Sequence, residues 1–386
     1  MTGQPSGVTR FGRYALHQVA CRDLVSATYR ATATAPPAEG MPQQVALRVV
    51  SQALAGSHAV EGFLRANGQV ATIDHPHVLR VVDVGRHAEQ PYTATVWRDG
   101  VPLSELIAGH APLPAWVVLR LGGQIAEALD MLHASGIVHG TVGPRTVWVK
   151  RRRRGQAASS AAVTAFGTNH LLAAALRNAG DADASEDLLC VAPEQLRGDR
   201  TAAAADQYAL ACLMSLALTG VPPFTAQTNK ALFREHLSSA PPRLTDHRPD
   251  LGTGWDEVFL RALDKDPAAR FGNCRTLVRE AARHAPPADE EHVAPAMSWS
   301  PRTGTDDPER RAPAGTPPAP AVTPAPAPAP RRRVVPRLLR LLLGVVTVGL
   351  LVVLILMGLR SRAAAAPAAV APAPMTTIWP APDTLR

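Results

Sequence analysis

EALDMLHASGIVHGTVGPRTVWV, from Glu127 to Val149, is the stretch that decides how the chain folds. Its first half completes a helical pattern from Leu119 to Ser135, in which Leu119, Ile125, Leu129 and Leu132 share one face. Its last residues, Val147–Val149, read as a short strand, and a second short strand is expected near Val163–Ala165. Upstream the pattern changes. Apolar and polar residues alternate at Tyr14 and Leu16, Val45–Val50, Val78–Val84 and Thr93–Trp97, which suggests a small antiparallel sheet. Downstream the chain is mostly helical. A sheet-rich first third and a helix-rich remainder predict an α+β protein with two lobes.

Composition sets the outer limits. The 386 residues are 46% hydrophobic and 19% charged, with 36 prolines and a formal charge of +8. A collagen, a disulfide miniprotein and a wholly disordered acidic chain are excluded. Only Lys150, Lys230 and Lys265 are lysines, and the remaining basic residues are arginine in an alanine-rich background. That is the bias of a GC-rich coding sequence. No aromatics interleave with the arginines, so no nucleic-acid partner is expected. Cys21, Cys190, Cys212 and Cys274 lie far apart, which fits unpaired thiols in a reducing compartment.

Five regions follow. Residues 1–12 are expected to be disordered and 13–284 globular, with a small lobe at about 13–97 and a large one at about 101–284. Residues 285–337 are rich in Pro, Ala and Arg and read as an extended linker. Residues 338–359 read as a transmembrane helix. Within them Leu341–Leu359 is 19 residues without a charge, and such a helix spans roughly 28 Å, close to a bilayer core. Arg331, Arg332, Arg333, Arg337 and Arg340 precede it. The positive-inside rule then predicts a single-pass protein of the cell membrane, its N-terminal domain cytoplasmic and 360–386 a short extracytoplasmic tail.

The globular region resembles bacterial eukaryotic-like serine/threonine protein kinases, segment by segment and in order. TYRA (Thr28–Ala31) is similar to the end of the glycine-rich loop, VALRVV (Val45–Val50) to the V-A-I-K strand, and DHPHVLRVVDVG (Asp74–Gly85) to the stretch after helix C. The opening quotation resembles the helix and H-R-D loop, and AFG (Ala165–Gly167) stands where D-F-G belongs. VAPEQLRG (Val191–Gly198), ADQYALACLMSLALTGVPPF (Ala205–Phe224) and RALDKDPAARF (Arg261–Phe271) resemble the A-P-E segment, the helix after it and the closing helix. The resemblance implies a two-lobe protein-kinase-like fold, with a hinge near Trp97–Val101.

The same resemblance places the family's chemistry on residues that lack it. No glycine occurs from Arg13 through Glu39, where a backbone without Cβ should close over phosphates. Arg48 stands at the strand lysine and Ala66 at its glutamate partner, with Glu61 on another helical face. The catalytic aspartate maps to Thr141, its helper lysine to Gly143, the metal-binding asparagine to Thr146 and the magnesium-binding aspartate to Ala165. A threonine hydroxyl is no useful general base near neutral pH. No Asp or Glu occurs from Met131 through Gly180, and magnesium wants oxygen ligands, usually carboxylates. By contrast the implied structural positions persist: His139 in the loop, Glu194 with Arg270 bracing the activation segment, and Asp206 holding the loop backbone.

The expectation is therefore a membrane-anchored pseudokinase without catalytic or metal-binding residues, which works by binding a protein. Its partner would be an active Ser/Thr kinase or a phosphothreonine-reading domain. No cofactor is expected; ATP without magnesium remains an alternative, with Arg48 as the candidate binding residue. The other alternative is an active, unorthodox kinase that draws on Asp181, Asp183, Glu186 or Asp187. Lys150–Arg154 reads as a solvated loop, the Ser300, Thr316 and Thr323 sites before proline as chance, and His75, His77 and His87 as lacking metal-ligand spacing.

Overall fold

The computed structural model describes residues 9–34, 42–150, 160–178, 182–199 and 201–285. The expected linker beyond 285, the span at 338–359, the tail, and the arginines that follow Lys150 lie outside the described residues. No helix among the described residues is long and apolar enough to cross a membrane.

The small lobe is a six-stranded antiparallel sheet that flanks one helix. Its elements are β1 (Arg10–Phe11), β2 (Tyr14–Arg22), β3 (Ser26–Ala33), β4 (Gln44–Val50), α1 (Ala59–Val70), β5 (Val81–His87) and β6 (Gln90–Val96). The strand order is β1-β2-β3-β4-β6-β5. Alternation forms this sheet: Val45, Leu47 and Val49 on β4 pack with Tyr14, Ala31 and Ala94 on one face. Val50 instead joins Val60 and Phe63 of α1.

The large lobe holds β7 (Val101–Pro102), α2 (Leu103–His110), α3 (Ala115–Ala134), β8 (Val147–Val149), β9 (Ala161–Val163), α4 (Thr168–Asn178), α5 (Pro193–Arg197), α6 (Ala203–Thr219), α7 (Asn229–Ser238), α8 (Thr253–Ala262) and α9 (Cys274–Arg283). The second expected strand sits at 161–163 rather than 163–165. Ala165 is the reason: its φ of +70° bends the chain out of extended geometry. Helix α6 is buried on every side from Ala205 through Leu218, as an all-round apolar helix must be. The rest of the lobe packs around it.

His236, on α7, illustrates the tightness of that core. It is fully buried, and its Nδ1 lies 3.0 Å from the Tyr208 hydroxyl. Burial pushes its pKa down to about 3. Unfolded, the same imidazole takes up a proton near 6.5. Below that pH the unfolded chain binds the extra proton and stability falls, by about 1.4 kcal/mol per pH unit until the folded pKa is reached. Burial of His139 acts in the same direction. Urea midpoints should therefore drop between pH 7 and pH 5, and His236→Gln should flatten part of that slope.

Candidate functional site

The loop at His139–Thr146 is shaped from behind by α6. Asp206 Oδ2 accepts the His139 N–H at 2.9 Å and Oδ1 the Gly140 N–H at 2.6 Å. His133 Nε2 donates to the same carboxylate at 2.7 Å. Three donors satisfy a carboxylate that is fully buried. The His139 ring bonds the Thr164 carbonyl through Nε2 at 2.8 Å and lies edge-on to Phe166. Burial lowers its pKa, so the ring is held neutral and ties the loop to the end of β9. Further along, Arg270 meets Glu194 through both oxygens, at 2.8 and 2.9 Å, inside the core.

The positions where chemistry would be done are joined by neutral hydroxyls. Thr141 Oγ1 lies 2.7 Å from Thr168 Oγ1, and Thr168 donates to the Ala165 carbonyl at 2.7 Å. Thr146 donates to the Thr141 carbonyl at 2.8 Å and accepts the Gly143 N–H at 2.9 Å. Both hydroxyls of the loop, on Thr141 and Thr146, thus pair with neutral groups. Gly143 contributes only backbone to these hydrogen bonds.

Arg48 does not face an open cleft. It is buried on β4 opposite Thr28 of β3, and its Nη1 is ion-paired with Asp23 and donates to Ser26 Oγ at 2.8 Å. Asp23 also accepts the Val25 and Ser26 N–H groups at 3.0 and 2.7 Å, which shapes the turn between β2 and β3. The place left by glycine is filled by a carboxylate that neutralises the cation. Asp23 is the residue that sequence reasoning missed, and a signal existed: Asp23 and Glu39 are the only carboxylates among the first 60 residues.

The turn is also bound to the large lobe. Asp187 Oδ2 accepts the Leu24 N–H at 2.8 Å, and Arg145 Nη1 donates to the Arg22 carbonyl at 2.8 Å. Arg145 in turn holds Glu186. Burial, and then the nearby Asp23, raise the Asp187 pKa. Beneath the turn remains a cavity of about 40 Å³ lined by Thr141, Thr146, Thr168 and Cys190. Of the remote acids, Glu186 and Asp187 reach this region. Asp183 pairs with Thr228 instead, and Asp181 lies outside the described residues.

The hinge is occupied as well. Trp148 on β8 donates its indole N–H to the Arg98 carbonyl at 3.0 Å. Its ring stands edge-on to Trp97, centroids 6.0 Å apart, in a cluster with Leu79 and Ala162. The space left between hinge and Arg48 is about 30 Å³, enough for about two waters.

Helix α1 offers Asn67 to the cleft rather than a glutamate. Asn67 Nδ2 bonds the Phe63 and Phe166 carbonyls, both at 2.9 Å. Ala66 lies beside Gly167, where an added Cβ would come within 3.0 Å of Ala66 Cβ. Glu61 is exposed and pairs with Arg86. After AFG the chain forms α4, whose Leu171 and Ala174 pack with Val60 and Phe63 of α1.

Comparison with known proteins matches residues 39–284 to the protein kinase domain. Serine/threonine-protein kinase PknD of Mycobacterium tuberculosis is 28% identical over 293 residues, 75% of this chain and 42% of that protein. PknI of the same organism is 30% identical over 306 residues, 73% of this chain and 48% of that protein. The chain therefore spans less than half the length of these relatives. The crystal structure of the PknI kinase domain is similar at a TM-score of 0.57 and 28% identity, covering 73% of this chain and all of that domain. This chain belongs to the protein kinase family, with bacterial serine/threonine protein kinases as its relatives.

Proposed function

We propose that this chain is a pseudokinase that acts by docking to another protein. The carrying observation is the neutral network Thr141–Thr168–Ala165, which stands where transfer would need carboxylates. Kinases of this fold use ATP with magnesium, and the residues present do not fit that pair. Arg48 is neutralised by Asp23, and the hinge carbonyl of Arg98 is engaged by Trp148. A nucleotide gripped by the strand cation and the hinge carbonyl would have to displace both partners. The braces around Asp206 and Glu194 keep the kinase-shaped exterior, which is what a docking partner would recognise.

The partner is proposed to be an active Ser/Thr kinase or a phosphothreonine-reading domain, met beneath a membrane to which residues 338–359 anchor the chain. Purified full-length chain, given ATP with Mg²⁺ or Mn²⁺ and a generic protein acceptor, should transfer no phosphate above background. Its melting temperature should not respond to ATP, with or without magnesium. Robust magnesium-dependent transfer defeats the proposal. A shift with ATP alone would replace it with a nucleotide-sensing scaffold. Recovery of a kinase or phosphothreonine reader from native membranes, lost on stripping the kinase-like domain, would identify the partner.

A further inference from the structure

Outside the cleft, a groove of about 1010 Å³ opens between α4 and α5, with α1 and α7 contributing further walls. That is as large as the largest small-molecule sites and suits a length of peptide. Helix α4 forms its wall because it is drawn onto α1. Leu171 and Ala174 pack with Val60 and Phe63, and a Cβ on Gly62 would stand 2.7 Å from the His170 ring. The floor is apolar: Ile137, Leu172 and Val191 are buried there, and Leu196 and Phe233 are half-buried. Arg197 is exposed at the rim, and its partner Asp199 is the only carboxylate among the described lining residues. An apolar floor with a polar rim marks an interaction site.

The chain itself carries a segment that fits. From Ala285 to Arg337 it is rich in Pro, Ala and Arg, but residues 289–299 read DEEHVAPAMSW. Met297 is the only methionine, and Trp299 the only Trp, Tyr or Phe, between Ala285 and Arg337. These are residue types that interface cores favour. Asp289, Glu290 and Glu291 precede them and complement Arg197. The segment is also within reach. Helix α9 begins at the end of α3, where the Cys274 N–H meets Asp130 at 2.9 Å, and Gly136, just past α3, already lines the groove. Helix α9 is about 15 Å long, which puts Ala285 within roughly 30 Å of that wall. Extended, the chain from Ala285 to Trp299 spans up to roughly 45 Å. The order agrees as well. Arg197 donates to the Lys265 carbonyl at 3.5 Å, on the side nearer α9, so the acids pass Arg197 before Met297 and Trp299 arrive at the floor.

We propose that residues 289–300 occupy this groove within the same chain, with Met297 and Trp299 covering the apolar floor and the three carboxylates facing Arg197. At the millimolar effective concentration of a short tether, even a weakly binding segment keeps the groove filled. A docking partner that uses this face must displace the segment, which therefore sets a threshold for association. The inference stands whether or not the cleft transfers phosphate.

The test uses the full-length chain in detergent. Trp299→Ala touches no described core residue, and it should speed amide exchange at residues 136–138 and 193–199 at least about fivefold. A labelled peptide of residues 286–301 should bind Trp299→Ala at least about tenfold more tightly than the unmodified chain, whose own segment competes. Ala173 is exposed on the α4 wall. Ala173→Arg blocks the groove without entering the core and, added to Trp299→Ala, should remove peptide binding. Unchanged exchange in Trp299→Ala overturns the proposal. So does peptide binding that survives Ala173→Arg. Protection in the unmodified chain that weakens on dilution would assign the groove to a second copy and overturn it too.

Discussion

Arg270→Ala should lower the stability of the kinase-like domain by about 3–5 kcal/mol, enough to leave much of it unfolded at 37 °C. The guanidinium is wholly buried and bidentate to Glu194, donates to the Ala204 and Asp264 carbonyls, and lies over the Tyr208 ring at 4.8 Å. Alanine removes these contacts and strands the Glu194 carboxylate in the core. The charge left behind, rather than the lost attraction, makes up most of the penalty. The paired variant Arg270→Met with Glu194→Leu should therefore lose less than Arg270→Ala alone. Urea midpoints at constant slope would measure both. Equal losses would mean that the pair itself carries the stability.

Asp23→Ala is the second large effect, about 3 kcal/mol by the same logic. It leaves the Arg48 cation buried without a counter-charge and removes the acceptor that shapes the turn over the cleft. Two readouts should move together. Hydrogen exchange of the amides around Leu24 and Ser26 should quicken as the turn loosens. Pyrophosphate, which should not raise the melting temperature of the unmodified chain, should raise that of Asp23→Ala because Arg48 becomes available to an anion. If the variant is as stable as the parent and indifferent to pyrophosphate, Arg48 is not held by Asp23 in solution.

The two variants also mark what was legible in the sequence. His139, Glu194, Asp206 and Arg270 were legible because each sits inside a local pattern with one structural role. In the structure the His139 ring bonds the Thr164 carbonyl, Arg270 meets Glu194, and Asp206 accepts the His139 N–H. The lack of Asp and Glu from Met131 through Gly180 was legible because it is a property of an unbroken run of residues, whereas the run does not report that Glu186 and Asp187 line the same cavity as Thr141. Arg48 was not legible. Whether a strand arginine faces solvent, ligand or protein depends on a partner 25 residues earlier, across a turn whose shape that partner itself sets. Trp148 read only as one apolar residue of a short strand. Its contact with the hinge joins residues 50 positions apart, and no periodicity reports such a pairing. Likewise Asn67 replaced the glutamate expected at Ala66 because the helix turns its amide toward the Phe166 carbonyl.

The indole of Trp148 has a pharmacological corollary. Flat heteroaromatic inhibitors that imitate a purine gain their grip from main-chain groups at a hinge and from an open slot beside it. Here the Arg98 carbonyl already accepts the Trp148 indole N–H, and Trp97 and Trp148 line the space beside it. A compound series raised against kinases with an open hinge should therefore pass this protein by, and a binding screen against the purified chain would check it.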